Sequence, residues 1–330
     1  MCLRVTCPHQ NIEIVEDRVY FSILRRTPRN SQFVTYFTID DEPKYKYRSF
    51  FDDFGPPSIL QLTEFYRNVS NQLNESKQIL HFYTSPNPPL CANAVMYISF
   101  FRMLYLKTSP EETYKPFLNI QKFIYDFRDA STAPSVFELK TIDVLRGIRK
   151  AMDHNWYDPE KFDSQKWQEI EALQNGDMNW LIPGKLMAFA SPYSMPVLPS
   201  GDRVATPEVV IPTFKELGIN HIVRLNKQYY DAEDFRKENF KHTELYFLDG
   251  SIPPTKILNQ FLDIIESDDV VALHCKAGLG RTYVFLKIIM LFYISFYRFT
   301  NTTNNSNTFF VHKNTNKFFL FIPGKLPKKN

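Results

Sequence analysis

Cysteine is scarce in this chain. The four cysteines among 330 residues are too few and too scattered for the disulfide framework of a secreted domain. Cys2 and Cys7 lie near His9, but nothing nearby supplies a further ligand at a zinc-site spacing, so we predict no metal site there. The N-terminal segment MCLRVTCPHQNIEIVEDR also lacks an apolar stretch of signal-peptide length. We therefore expect an intracellular protein in a reducing compartment.

An excess of one charge sign is missing as well. The 39 basic and 36 acidic side chains leave a net charge of +3, and because the two signs are interleaved we expect no nucleic-acid partner. Residues 284–299 are apolar but shorter than the roughly 20 residues that span a bilayer, and they include Lys287 and Arg298. This segment is predicted to be a buried helix rather than a membrane span.

The first half of the chain alternates short apolar runs with patterns of helical period. Residues 18–24, 33–39 and 78–83 are predicted strands, and residues 92–107 form an apolar and therefore buried helix. A second helix is predicted after Ser109, which is a suitable N-cap because Pro110 and two acidic residues follow it. Strands that alternate with helices indicate an α/β layer.

The second half repeats this alternation after a polar segment. The segment contains a linker helix over residues 165–174, capped by Asp163 or Ser164. The predicted elements that follow are a helix that Gly218 ends, a strand over 220–225, a strand over 245–248, a helix over 254–267 and a strand over 270–273. This order predicts a mostly parallel sheet flanked by helices.

These patterns divide the chain into four regions. We predict an N-terminal domain over residues 1–156, a linker helix over 157–178, a second domain over 179–299, and an Asn-, Lys- and Phe-rich tail over 300–330. The tail has no sustained period and a composition unlike that of the preceding domain, so we expect it to be poorly ordered.

The segment VALHCKAGLGRT, residues 271–282, carries the chemistry. A loop between a buried strand and a helix can turn successive N–H groups inward and hold a phosphate dianion. Gly278 and Gly280 are expected to permit positive φ and close backbone approach. The same field favours a thiolate at Cys275, and Arg281 can grip two phosphate oxygens. The predicted phosphate-binding residues are Lys276, Ala277, Gly278, Leu279, Gly280 and Arg281, with His274 and Thr282 supporting them.

Two other interpretations of this segment are weaker. Cys275 is the size of an ordinary small core residue, but the preceding strand, the glycines and Arg281 together favour a nucleophile. A nucleotide-binding loop would end in Gly-Lys-Ser/Thr, which this segment does not.

Transfer of a phosphoryl group to a thiolate also needs an acid to protonate the leaving oxygen. Asp249 follows a predicted strand and precedes Gly250, which places it at the same sheet edge as Cys275. On these grounds alone, a solvated turn aspartate is the commoner outcome.

The chain resembles the cell-division-cycle-fourteen dual-specificity phosphatases of mitotic exit. The resemblance covers residues 17–282 and begins from HCKAGLGRT. The other matching motifs, in family order, are FGPP (54–57), ANA (92–94), FRDAS (127–131), GIRK (147–150), NGD (175–177), NW (179–180), PGK (183–185), IVRLNK (222–227) and LDGS (248–251).

This resemblance implies two tandem phosphatase-like domains, of which only the second is catalytic. It implies Cys275 as nucleophile, Arg281 as phosphate clamp and Asp249 as general acid, with no metal or organic cofactor.

The expected partners are phosphoprotein substrates, with phosphoserine-proline preferred and phosphothreonine and phosphotyrosine accepted, in cell-cycle or cilium-related regulation. Glu169, Glu171 and Asp177 would contribute to an acidic groove for a basic substrate residue. The expected location is the cytoplasm or nucleus, at a spindle pole or centrosome; the oligomeric state stays open.

The sequence departs from the family pattern after Thr282. Tyr283 stands where the family has glycine, and the later helices and the water-positioning glutamine loop have no counterpart. We interpret this as a truncated or misassembled reading frame, with a natural short isoform as the alternative. A rival hypothesis for the chain is therefore a catalytically impaired scaffold that binds phosphopeptides without hydrolysing them.

Overall fold

The computed structural model describes residues 11–47, 49, 52–129, 138–182, 184–286 and 288. Its described residues form two compact units, one up to Phe162 and the other from Asp163. The predictions for Cys2, Cys7, His9 and the tail lie outside the described residues.

The first unit contains a four-stranded sheet in the order β1-β2-β4-β3. Strand β1 runs antiparallel to β2, and the remaining pairs are parallel. The three strands predicted in this region are confirmed as β2, β3 and β4, whereas β1 was not predicted. The strands are β1 (Ile12–Val15), β2 (Val19–Ile23), β3 (Val34–Phe37) and β4 (Ile79–Thr84).

The helices of the first unit include both predicted ones. Helix α2 is buried along most of its length, and it begins four residues before the predicted start because Asn87 caps it and prolines suit the first helical positions. Ser109 forms a capping box with Glu112. Helices α1 and α4 were not predicted. The helices are α1 (Ile59–Glu75), α2 (Pro88–Tyr105), α3 (Pro110–Tyr114), a 3-10 helix (Lys115–Phe123) and α4 (Thr141–Asp153).

The second unit opens with the predicted polar helix, α5 (Ser164–Glu171). Asp163 caps it by accepting a hydrogen bond from the Lys166 N–H at 3.0 Å. The helix is shorter than predicted, because the backbone continues as a 3-10 turn that Gly176 ends with a φ of 104°.

The sheet of the second unit has five strands in the order β5-β6-β9-β7-β8. Strand β5 is antiparallel to β6, and the other neighbouring strands are parallel. The prediction of a mostly parallel sheet is therefore confirmed. The strands are β5 (Asn179–Ile182), β6 (Leu186–Ala190), β7 (His221–Arg224), β8 (Lys241–Glu244) and β9 (Val271–Cys275). The helices are α6 (Pro207–Glu216), α7 (Glu233–Arg236), α8 (Thr255–Glu266) and α9, residues 280–286.

The predicted strand over residues 245–248 is wrong. The strand is β8, whose sequence KHTE is polar because β8 lies at the edge of the sheet. Leu245 and Phe247 are buried, but they follow the last residue that pairs with β7. The β5-β6 hairpin was not predicted.

Apolar side chains cover both faces of the second sheet. One cluster includes Leu273 of β9, Phe261 of α8 and Phe285 of α9, and the other includes Ala272 and Phe214. The rings of Phe261 and Phe285 are 4.4 Å apart, so α9 closes the first face. Residues 284–299 were predicted to form a buried helix. Of the residues expected to be buried there, Phe285 is buried and Ile288 is half-buried, while Ile289 and Phe292 lie outside the described residues. Within the described residues, no helix combines the length and apolar character that a membrane crossing requires.

Candidate active site

Cys275 is the last residue of the central strand β9. Its neighbours in the ladder are Ala190 of β6 on one side and the end of β7 on the other, where Arg224 pairs with His274. All five β9 residues are buried, and Cys275 is 4% exposed. The thiol therefore lies at the carboxyl edge of a parallel sheet, where ligands bind in open α/β folds.

The signature loop, residues 275–281, turns at Gly278. This glycine has a φ of 69°, and a Cβ atom there would lie 2.5 Å from the carbonyl oxygen of Phe189. Positive φ and close backbone approach, the two reasons for which glycine was predicted here, both apply to Gly278. Gly280 is different: it is not among the residues with positive φ, and a Cβ there would meet only Asp249 Oδ1, at 3.9 Å. The prediction that Gly280 supplies positive φ is wrong, because residue 280 already belongs to helix α9.

Two carbonyl oxygens of the loop accept hydrogen bonds from the backbone, whereas its N–H groups from 276 to 280 point to no described acceptor. Ser191 donates its N–H to the carbonyl oxygen of Lys276 at 3.0 Å, and Tyr283 donates to that of Leu279 at 2.9 Å. In the described part of the chain, the N–H groups of residues 276–280 have no protein acceptor. The side chains of Lys276, Ala277 and Leu279 are exposed. Such unpaired donors at a helix N-terminus make a site for an anion.

Arg281 is buried and fixed by two backbone carbonyls. Its Nη1 donates to the oxygen of Phe247 at 3.1 Å and lies 3.4 Å from that of Leu225. Its Nε lies 3.4 Å from Oδ1 of Asp249, a carboxylate that is 70% exposed. The structure thus brings Asp249 to the loop that carries Cys275 and Arg281.

His274 and Thr282 flank the loop in the interior. His274 is fully buried, with Nδ1 at 3.1 Å from the Cys275 carbonyl oxygen, and burial lowers its pKa to about 3. Thr282 is also fully buried, and its hydroxyl has no partner among the described residues. Both residues therefore lie against the loop, as side chains that support it would.

Comparisons with known proteins agree with this geometry. A family model described as "Dual specificity protein phosphatase, N-terminal half" matches residues 13–151, and one described as "Polymorphic toxin system, DSP-PTPase phosphatase" matches residues 204–293. The chain is 38% identical over 295 residues to dual specificity protein phosphatase CDC14A of Mus musculus, across 88% of this chain and 48% of that protein. The chain is thus a homologue of CDC14 dual specificity phosphatases over most of its own length.

Human relatives give the same result. CDC14A of Homo sapiens is 37% identical across 88% of this chain and 49% of its own length. CDC14C of Homo sapiens is 34% identical across 87% of this chain and 64% of its own length. The chain spans about half the length of the CDC14A relatives.

The place in the first unit that corresponds to the signature loop is built differently. It follows β4 and leads into α2, where Pro88 and Pro89 have no N–H to donate. The carboxylate of Asp40 accepts from the Thr84 hydroxyl and from the Ser85 N–H, each at 2.7 Å. The Asp40 carboxylate thus binds the hydroxyl and N–H donors at the start of this loop.

The acidic residues expected in a substrate groove have unequal environments. Glu169 is exposed, whereas Glu171 and Asp177 are half-buried. Burial raises the pKa of Glu171 to about 7 and that of Asp177 to about 6. No group of three or more His, Cys, Asp or Glu side chains in the described ranges is arranged to hold a metal ion.

Sequence reasoning missed the buried polar residues behind the loop. Arg224, Tyr230 and His242 are nearly inaccessible to solvent, and Tyr230 lies 2.8 Å from His274. The available signal was an arginine inside the apolar strand segment IVRL, because a buried charge requires a partner.

We expect Gly278→Ala to disable the loop. The new methyl group would clash with the Phe189 backbone and the residue would be held at positive φ, so the loop must shift. Gly218→Ala is the matched control, because Gly218 has a φ of 73° with nothing within 4 Å of an added Cβ. Thermal melts and phosphopeptide turnover should show a lower Tm and at least about a tenfold greater activity loss for Gly278→Ala. Equal Tm and turnover in the two variants would contradict the steric argument.

Proposed function

We propose that this chain is a protein phosphatase that acts through a phosphocysteine intermediate. The observation that carries the proposal is the convergence of Cys275, the unpaired amides of residues 276–280, Arg281 and Asp249 at one edge of the second sheet. A nucleophile, an anion nest, a cationic clamp and an acid are the groups that phosphoryl transfer to a thiolate needs.

The reaction takes place in two displacements. The Cys275 thiolate attacks phosphorus, and the bond from phosphorus to the side-chain oxygen breaks while Asp249 gives that oxygen a proton. Water then attacks the phosphocysteine, Asp249 takes a proton from it, and inorganic phosphate and the thiolate are released. Arg281 and the loop amides stabilise the charge on the equatorial oxygens in both steps. Asp249 Oδ1 lies 3.4 Å from Nε of Arg281.

For substrates we propose phosphoserine followed by proline, with phosphothreonine and phosphotyrosine also accepted. Exposed apolar side chains, Leu248, Ile252 and Leu279, lie on the segments that carry Asp249 and the loop amides and can contact a proline ring. Glu169, Glu171 and Asp177 would attract a basic residue of the substrate. The similarity to CDC14 relatives supports a role in the cell cycle. We also propose a location in the cytoplasm or nucleus.

Phosphate release from matched peptides tests this function. A phosphoserine-proline peptide should show a higher kcat/KM than a phosphoserine-alanine peptide or a phosphotyrosine peptide of equal charge. A higher value for phosphotyrosine would contradict the proposed substrate class. Binding of the phosphoserine-proline peptide without any phosphate release would favour the scaffold hypothesis instead.

A further inference from the structure

Three buried side chains form a row behind Cys275. The hydroxyl of Tyr230 lies 2.8 Å from Nε2 of His274 and 2.8 Å from Nε2 of His242. At the end of the row, Nδ1 of His274 lies 3.1 Å from the carbonyl oxygen of Cys275. His274 is 0% exposed, Tyr230 is 1% exposed, and the His242 side chain is 0% exposed. These groups therefore satisfy one another's hydrogen bonds rather than those of solvent.

The chemistry of the partners defines where each proton lies. A carbonyl oxygen only accepts, so Nδ1 of His274 carries the proton toward Cys275. Burial lowers the pKa of His274 and of His242 to about 3, so both rings are neutral near pH 7. Nε2 of His274 is then an acceptor for the Tyr230 hydroxyl. The Tyr230 oxygen in turn accepts from Nε2–H of His242.

Arg224 fixes the middle of this row. Its Nη1 donates to the Tyr230 carbonyl oxygen at 2.9 Å, and its guanidinium lies 4.5 Å from the centre of the Tyr230 ring. Nε and Nη2, on another edge of the guanidinium, donate to the Glu244 carboxylate, which compensates the buried charge of Arg224. Glu244 Oε1 also lies 3.3 Å from Nδ1 of His242, the one ring nitrogen of the row without a hydrogen-bond partner in the described residues.

We infer that Tyr230 is a positioning residue for the signature loop. Its hydroxyl, oriented by His242, holds His274 in the tautomer that donates to the Cys275 carbonyl. The peptide bond is planar, so fixing the oxygen of Cys275 also fixes the direction of the Lys276 N–H, the first amide of the anion nest. His274 thus acts as a neutral support for the loop. The consequence for turnover rests on the proposed function.

Tyr230→Phe tests this inference, with Tyr157→Phe as the matched control. Tyr157 is also a buried tyrosine, and its hydroxyl lies 2.7 Å from that of Thr63 in the first unit. Alkylation of Cys275 by iodoacetamide is followed against pH on the Cys275 peptide by mass spectrometry. We expect Tyr230→Phe to raise the midpoint by about half a pH unit or more, because the nest is less well ordered. We expect kcat/KM for the phosphopeptide to fall about tenfold. The control should change the Tm without moving the midpoint.

The tautomers can also be measured directly in the parent protein. In a sample labelled with ¹⁵N-histidine, long-range ¹H–¹⁵N spectra at pH 7 should place the proton of His274 on Nδ1 and that of His242 on Nε2, and His242→Gln assigns one signal. The reverse pattern, or an unchanged alkylation midpoint in folded Tyr230→Phe, overturns the inference. Neither readout needs turnover: if the parent releases no phosphate, the proposed function fails, while the thiol and tautomer measurements still decide the role of Tyr230.

Discussion

Cys275→Ser is expected to abolish phosphate release while phosphopeptide binding stays measurable. A serine hydroxyl is far less acidic than a thiol, and no side chain placed as its base lies in the described site, so the covalent step stops. The loop amides and Arg281 remain and still hold the phosphate dianion. Phosphate release and fluorescence anisotropy of a labelled phosphoserine-proline peptide measure the two properties separately.

Cys91→Ser is the matched control for this substitution. Cys91 is also a buried cysteine, and its thiol donates to the carbonyl oxygen of Ser85 at 3.2 Å, a bond that a hydroxyl can replace. Its turnover should match that of the parent. Activity of Cys275→Ser above about a hundredth of the parent value would remove Cys275 from the role of nucleophile.

Asp249→Ala should slow the release of phosphate from serine by about 10²–10⁴-fold. The same substitution should affect p-nitrophenyl phosphate much less, because nitrophenolate leaves without a proton. Since Asp249 is also paired with Arg281, its removal frees the guanidinium, and KM should stay equal or fall. Steady-state kinetics on both substrates gives the ratio that identifies a general acid.

Asp263→Ala controls for the loss of a carboxylate in the same unit. Asp263 is exposed on helix α8, so its removal should leave both substrates unaffected. An equal loss on the serine and nitrophenyl substrates in Asp249→Ala would show that Asp249 orders the loop rather than donating a proton.

Both the signature loop and the type of sheet that carries it could be predicted from local sequence patterns. Cys275, Gly278 and Arg281 are close in the chain because an anion nest is made from consecutive amides, so a short segment contains the whole device. Asp249 does lie beside the loop, but the strand over residues 245–248 from which this was predicted is absent, since β8 ends at Glu244. Strand β9 was predicted from its apolar run, and helices α3 and α5 from their caps at Ser109 and Asp163. These predictions succeeded because the interactions involved are local in the sequence.

The side chains that support the loop could be identified only from the fold. Tyr230 lies 12 residues from His242 and 44 residues from His274, and the three meet because β9, β7 and β8 are neighbours in the sheet. Strand order is set by packing between distant segments, and no local pattern encodes it. The polar sequence of β8 is likewise explained only by its position at the edge of the sheet. The backbone oxygen that requires glycine at residue 278 belongs to Phe189, which lies on β6. Residues that act through contiguous backbone are visible in the sequence, whereas residues that act through contacts between strands require the fold.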